Sequence, residues 1–121
     1  MIFAASFLQP LLIVSKSSYL SKKTMFIISL TYKTSLENVE RFIPEHNNFL
    51  EKHYNSGNFI VSGRKEPRTG GIILADAYSK NEVEEIIKED PFYIHQVADY
   101  DITEFFPTKH NEHFKFFIKN P

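Results

Sequence analysis

Between Phe26 and Phe106 the spacing of apolar residues switches repeatedly between two and three-to-four, and that succession of periods narrows the available folds more than any other feature. Phe26, Ile28, Leu30 and Tyr32 alternate with Ile27, Ser29, Thr31 and Lys33, the signature of a strand. Thr34 and Glu37 stand at capping-box spacing and predict a short helical turn through Leu36, Val39 and Phe42, which Pro44 interrupts. A proline suits the first turn of a helix, so Pro44 is read as the start of a main helix that ends at Gly57. Phe49, Leu50 and His53 follow His46 at spacings of three, four and seven, which places His46 on the apolar stripe of that helix.

Asn58 to Ser62 reads as a second strand, residues 63–70 as a turn-rich loop, and Ile72-Ile73-Leu74 as a third strand, together a hairpin. Ser79 and Glu82 form a second capping box ahead of Val83, Ile86 and Ile87, predicting a helix to about Lys88 that Asp90-Pro91 closes. Tyr100, Ile102, Glu104 and Phe106 alternate as a fourth strand, and the tail from Lys109 to Ile118 is weakly helical. The order β-α-β-β-α-β specifies an α+β, ferredoxin-like sandwich: a four-stranded antiparallel sheet with two helices on one side. Both registers of the strands carry large apolar groups, such as Phe26 and Ile28 against Ile27, or Phe105 against Phe106. Two helices cover one face, so the other is expected to pack sheet to sheet in a homodimer.

No cysteine is present, which removes disulfides, thiolate nucleophiles and cysteine-ligated metals and suits a reducing cytoplasm. Residues 1–24 hold three lysines and no acid, so the remaining chain carries a net acidic excess and offers no support for binding nucleic acid or an anionic membrane. The apolar run from Ile2 to Val14, broken at Gln9-Pro10, is shorter than the roughly 20 residues of a spanning helix, and its positive charges follow rather than precede it. Residues 1–24 are therefore read as an extension upstream of a start at Met25, and residues 25–121 as one cytoplasmic domain.

Chemistry is sought first among the five histidines. His53 near a helix C-terminus is accounted for by the helix dipole, and His110 with His113 lacks the further ligands a metal site needs, so no metal is expected. His46 differs, projecting among Phe42, Phe49 and Leu50, where an imidazole requires a hydrogen-bonding partner; a backbone carbonyl in the core would suffice. Asp90 beside Glu89 faces the negative end of the preceding helix and a like charge, which calls for something to offset both, although aspartate before proline also simply begins a turn. With both helices on one side of the sheet, His46 and Asp90 can meet as an acid–base dyad. Arg64, Lys65 and Arg68, close to glycines, can hold a carboxylate or another anion, or form an ordinary solvated turn. Gly70-Gly71 lacks the spacing of a dinucleotide fingerprint, and no cofactor is expected.

The strings RFIPEHNNFLEKHYNSGNFIVSG, EPRTGGIILADA and EDPFYIHQVADYDITEF resemble the YCII-related domain family from Met25 to about Thr108. Their most specific pieces are His46 with Gly57 and Ser62-Gly63, Pro67-Arg68 with Gly70-Gly71, and Asp90-Pro91-Phe92. The resemblance implies a ferredoxin-like fold of the dimeric α/β-barrel superfamily, with His46 and Asp90 as the active pair; Ser62, Arg64, Arg68 and Phe92 are the candidate substrate contacts, an arginine holding an anionic group. It points to a small-molecule enzyme of lyase or hydrolase type working without a cofactor on a ligand of anionic character, substrate unspecified. The alternative is a dimeric module that binds a metabolite without turning it over.

Overall fold

A computed structural model describes residues 22–118, so the extension read over residues 1–24 lies, except for its last three residues, outside the described residues. The first strand, β1 (Thr24–Tyr32), is followed by a long helix, α1 (Leu36–Asn55), and a hairpin of β2 (Phe59–Arg64) and β3 (Gly70–Ala77). A second helix, α2 (Lys80–Ile87), a single turn, α3 (Pro91–Ile94), and β4 (Ala98–Phe105) complete the core, and a 3-10 turn over Glu112–Phe117 ends the described chain. The strands form one antiparallel sheet in the order β2-β3-β1-β4.

Central β1 sets the register: Ile28 faces Ile73 of β3 on one side and Ile102 of β4 on the other. Its even-numbered side chains Phe26, Ile28 and Leu30 are buried and meet Val39 and Phe49 of α1, Val83, Ile86 and Ile87 of α2, and Phe92 of α3 in one cluster. Burying each of the larger ones stabilises the fold by about 1.5–3 kcal/mol. On the opposite face Ile27, Val61, Ile72 and Phe105 are exposed among the described residues.

The structure corrects the reading of Pro44. The cap is Ser35, whose hydroxyl accepts from the Asn38 N–H, and the helix runs without interruption from Leu36 through Pro44 to Asn55. Proline removes one intrahelical hydrogen bond. Apolar residues on both sides of it, Val39, Phe42 and Ile43 before and Phe49 and Leu50 after, pack on the same core, and that burial outweighs the local loss. Ser56 and Gly57 end α1, the glycine at φ 86°, a left-handed backbone that a Cβ would strain. At Ser79 the capping box is present in modified form: its hydroxyl accepts from the Glu82 N–H, while the Glu82 carboxylate reaches one residue further back, to the Tyr78 N–H.

Candidate active site

Asp90 is the deepest polar group of the site, with no exposed surface. It lies after α2 in extended backbone and caps α3, its Oδ1 accepting the Phe92 N–H at 2.9 Å with Pro91 in the first helical position. The unfavourable position inferred from the sequence, at the negative end of α2, is therefore answered by this cap and by two further donors. His46 Nδ1 lies 2.8 Å from the same Oδ1, and the Tyr100 hydroxyl donates to Oδ2 at 2.5 Å. Three donors satisfy a carboxylate that would otherwise be costly to bury.

His46 lies half a turn beyond Pro44 on α1, with its side chain only 13% exposed. Its ring stacks on Phe92, 4.0 Å between centroids and 3° between planes, and Phe92 is placed there by the cap that Asp90 makes two residues earlier. With Nδ1–H donated to the carboxylate, Nε2 carries the lone pair, and it has no protein partner among the described residues. Tyr100 projects from β4 on the helix-facing register. Its burial first, and the Asp90 charge second, push the phenol well above its ordinary value, so it remains a hydrogen-bond donor.

A cavity of about 220 Å³ opens beside His46, between α1 and the β2–β3 hairpin. Leu30, Ile43, Leu50 and Ile73 form its apolar walls, Phe92 and His46 one side, and Tyr32, Asn47, Ser62 and Arg64 supply further polar side chains. Ser62 and Arg64 reach it because they share one face of β2, opposite Ile73 and Gly71. The Ser62 hydroxyl is 2.5 Å from that of Tyr54 on α1.

Of the residues singled out from the sequence, His46, Ser62, Arg64 and Phe92 thus surround one cavity, with Asp90 directly behind His46. Arg68 is placed elsewhere: it does not line the cavity, and its guanidinium binds Glu40 Oε2 of α1 at 2.9 Å, an interaction that raises its already high value. Lys65 donates to Thr31 Oγ1 at 3.3 Å. Tyr100, Tyr54 and Asn47 escaped the sequence reading. Tyr100 left one clue, a phenol in the core-facing register of a strand, where its polar tip must find a partner.

His53 also differs from its sequence reading. The ring is buried between Phe49 and Phe59, and its Nε2 lies 2.9 Å from Glu89 Oε1, which Lys52 Nζ also contacts at 2.8 Å. Lys52 foremost, then His53, holds the Glu89 carboxyl below its ordinary range. This pair runs beside His46–Asp90 but lies outside the cavity and ties α1 to the segment before α3. His110 and His113 each bond Asn111, on its carbonyl and its side chain respectively. Among the described residues no group of three or more metal-ligating side chains converges, and no helix is long and apolar enough to cross a membrane.

The fold is similar to that of 5-chloro-2-hydroxyhydroquinone dehydrochlorinase (TftG) from Burkholderia phenoliruptrix AC1100, solved in complex with 2,5-dihydroxybenzoquinone. The superposition has a TM-score of 0.61 at 21% identity and covers 74% of this chain and 97% of that one, a likeness of fold. Comparison with curated proteins gives no significant match. The family model of the YCII-related domain matches residues 25–106, which include β2 to β4, all of β1 but Thr24, both members of the His46–Asp90 pair and every cavity-lining residue, and the chain belongs to that family.

Proposed function

We propose that the protein is a small-molecule enzyme in which His46 Nε2 moves a proton at the cavity and Asp90 holds the ring in the tautomer that makes this possible. The observation that carries the reading is the 2.8 Å contact between His46 Nδ1 and a wholly buried carboxylate, on an imidazole whose other nitrogen has no partner among the described residues and stands beside a cavity. Such a base contributes about 10²–10⁴-fold to a proton transfer. In an elimination it takes a proton from carbon, the C–H electron pair becomes the new double bond, and the leaving group departs with its own pair. In a hydrolysis it takes the proton of an attacking water. Lyase chemistry is favoured, since a neighbour of the same fold is a dehydrochlorinase. Ser62, Arg64 and Phe92 contact the substrate, and Arg68 steadies the hairpin through Glu40.

The open sheet face, with Ile27, Val61, Ile72 and Phe105 exposed, supports a homodimer packed sheet to sheet. The alternative is a dimeric module that binds a metabolite in the same cavity without turning it over, and one experiment separates the two. His46→Ala and Asp90→Asn are screened with the wild type against halogenated and hydroxylated ring compounds and small esters. Turnover by the wild type that both variants lose supports the enzyme; ligand binding without turnover by any of the three proteins supports the module.

A further inference from the structure

The polar groups of the cavity are arranged by sign. Arg64 brings a guanidinium that has no ion-pair partner among the described residues, and no aspartate or glutamate lines the cavity to neutralise it. Two residues earlier on the same face of β2, Ser62 shares a short hydrogen bond with Tyr54. A phenol is a stronger acid than an alkanol and so the better donor. With Tyr54 donating, the hydrogen of Ser62 is free for a ligand. One wall therefore presents a fixed positive charge and a hydroxyl donor, while the imidazole wall presents the Nε2 acceptor and the Phe92 ring. Between them the lining is mostly aliphatic, with Asn47 and Tyr32 as the further polar side chains, and its volume of about 220 Å³ exceeds the roughly 150 Å³ of an apolar cavity known to admit benzene. The space suits one six-membered ring together with a charged substituent.

We propose that the cavity takes a ring-sized monoanion, its oxyanion set against Arg64 and Ser62 and its ring packed on Ile43, Leu50 and Phe92, and that Tyr54 is a positioning residue that aims the Ser62 hydroxyl. The inference rests on this cavity being the substrate site and narrows what enters it. Anion recognition is independent of the proton transfer at His46, so the two are tested apart.

Binding of benzoate and of its uncharged counterpart benzamide is measured by titration calorimetry. The wild type binds benzoate at least about tenfold more tightly than benzamide, since a charge-assisted contact is roughly twice as strong as a neutral one. Arg64→Gln, a change at an exposed position, abolishes that preference while its circular dichroism matches the wild type. Tyr54→Phe weakens benzoate about threefold, Ser62→Ala by a similar factor, and the double variant no further, because Tyr54 acts through Ser62. Equal affinity for the two probes, no binding of either, an unchanged preference in Arg64→Gln, or additive losses in the double variant would overturn the proposal. His46→Ala retains the benzoate preference; turnover surviving in that variant, with the preference intact, removes the acid–base reading and leaves the anion site standing.

Discussion

The Tyr100 hydroxyl donates to Asp90 Oδ2 at 2.5 Å, occupying the one carboxylate oxygen that neither His46 nor the α3 backbone uses. Removing it in Tyr100→Phe leaves a buried oxygen short of a donor, a loss of about 1.5–3 kcal/mol. Because the phenol in the folded protein lies above its unfolded value of 10.0, the stability it contributes is fully present below that pH and is lost as pH rises above it. Urea midpoints measured between about pH 9 and 11 should fall more steeply for the wild type than for Tyr100→Phe. Parallel curves would contradict this.

Asp90 caps α3 and holds the imidazole with the same oxygen, and only its charge can be removed apart from those two contacts. Asn at this position keeps one oxygen for the Phe92 N–H and the His46 Nδ1–H, which share Oδ1, but removes the negative charge behind the ring and sets an amide NH2 against the Tyr100 hydroxyl. Asp90→Asn is expected to lower turnover about 10²–10⁴-fold. Nitrogen NMR of the His46 ring should show the proton held on Nδ1 in both proteins, so that the lost turnover reports the missing charge. Asp90→Ala, which also loses the cap, should lose a further ~1 kcal/mol or more in thermal or urea unfolding.

Two glycines of the hairpin should respond oppositely to alanine. A Cβ at Gly70 would lie 1.8 Å from the Leu30 carbonyl oxygen, on backbone that the sheet holds on both sides, whereas at Gly63 nothing lies within 4 Å. Gly70→Ala is expected to cost about 3 kcal/mol or more, and Gly63→Ala to stay within about 0.5 kcal/mol. Chemical denaturation of the two variants checks the contrast.

The open sheet face supplies a fourth test. Light scattering at micromolar concentration should give twice the 14.2 kDa chain mass for the wild type. Val61→Lys with Ile72→Glu, at exposed positions of β2 and β3, should give the single chain without loss of helix signal. A wild-type monomer would refute the sheet-to-sheet pairing.

Periodicity carried most of the fold, since the alternation at Phe26, Ile28 and Leu30 and the stripe through Phe49, Leu50 and His53 reflect burial on one core. Pro44 misled because local propensity names the preferred helix start, while the packing of Val39 and Phe42 with Phe49 is decided by tertiary contacts. The meeting of His46 and Asp90 was legible once the helices shared a side of the sheet. How Asp90 is made tolerable was not: that depends on a one-turn helix too short to have a period, and on a phenol from the last strand. Arg68 and Arg64 look alike along the chain, four positions apart, and only the strand register aims one inward while Glu40 holds the other.

A single oxygen, Asp90 Oδ1, both begins α3 and grips the His46 ring, and the turn it begins delivers the Phe92 face against that ring. The local architecture is consequently modular: the contiguous stretch Asp90-Pro91-Phe92 brings the anchor, the stopper and the stacking plate as one cassette. A designer wishing to install this imidazole on another scaffold would have to transplant only that tripeptide, a facing helix with a histidine, and a hydroxyl donor for the spare oxygen.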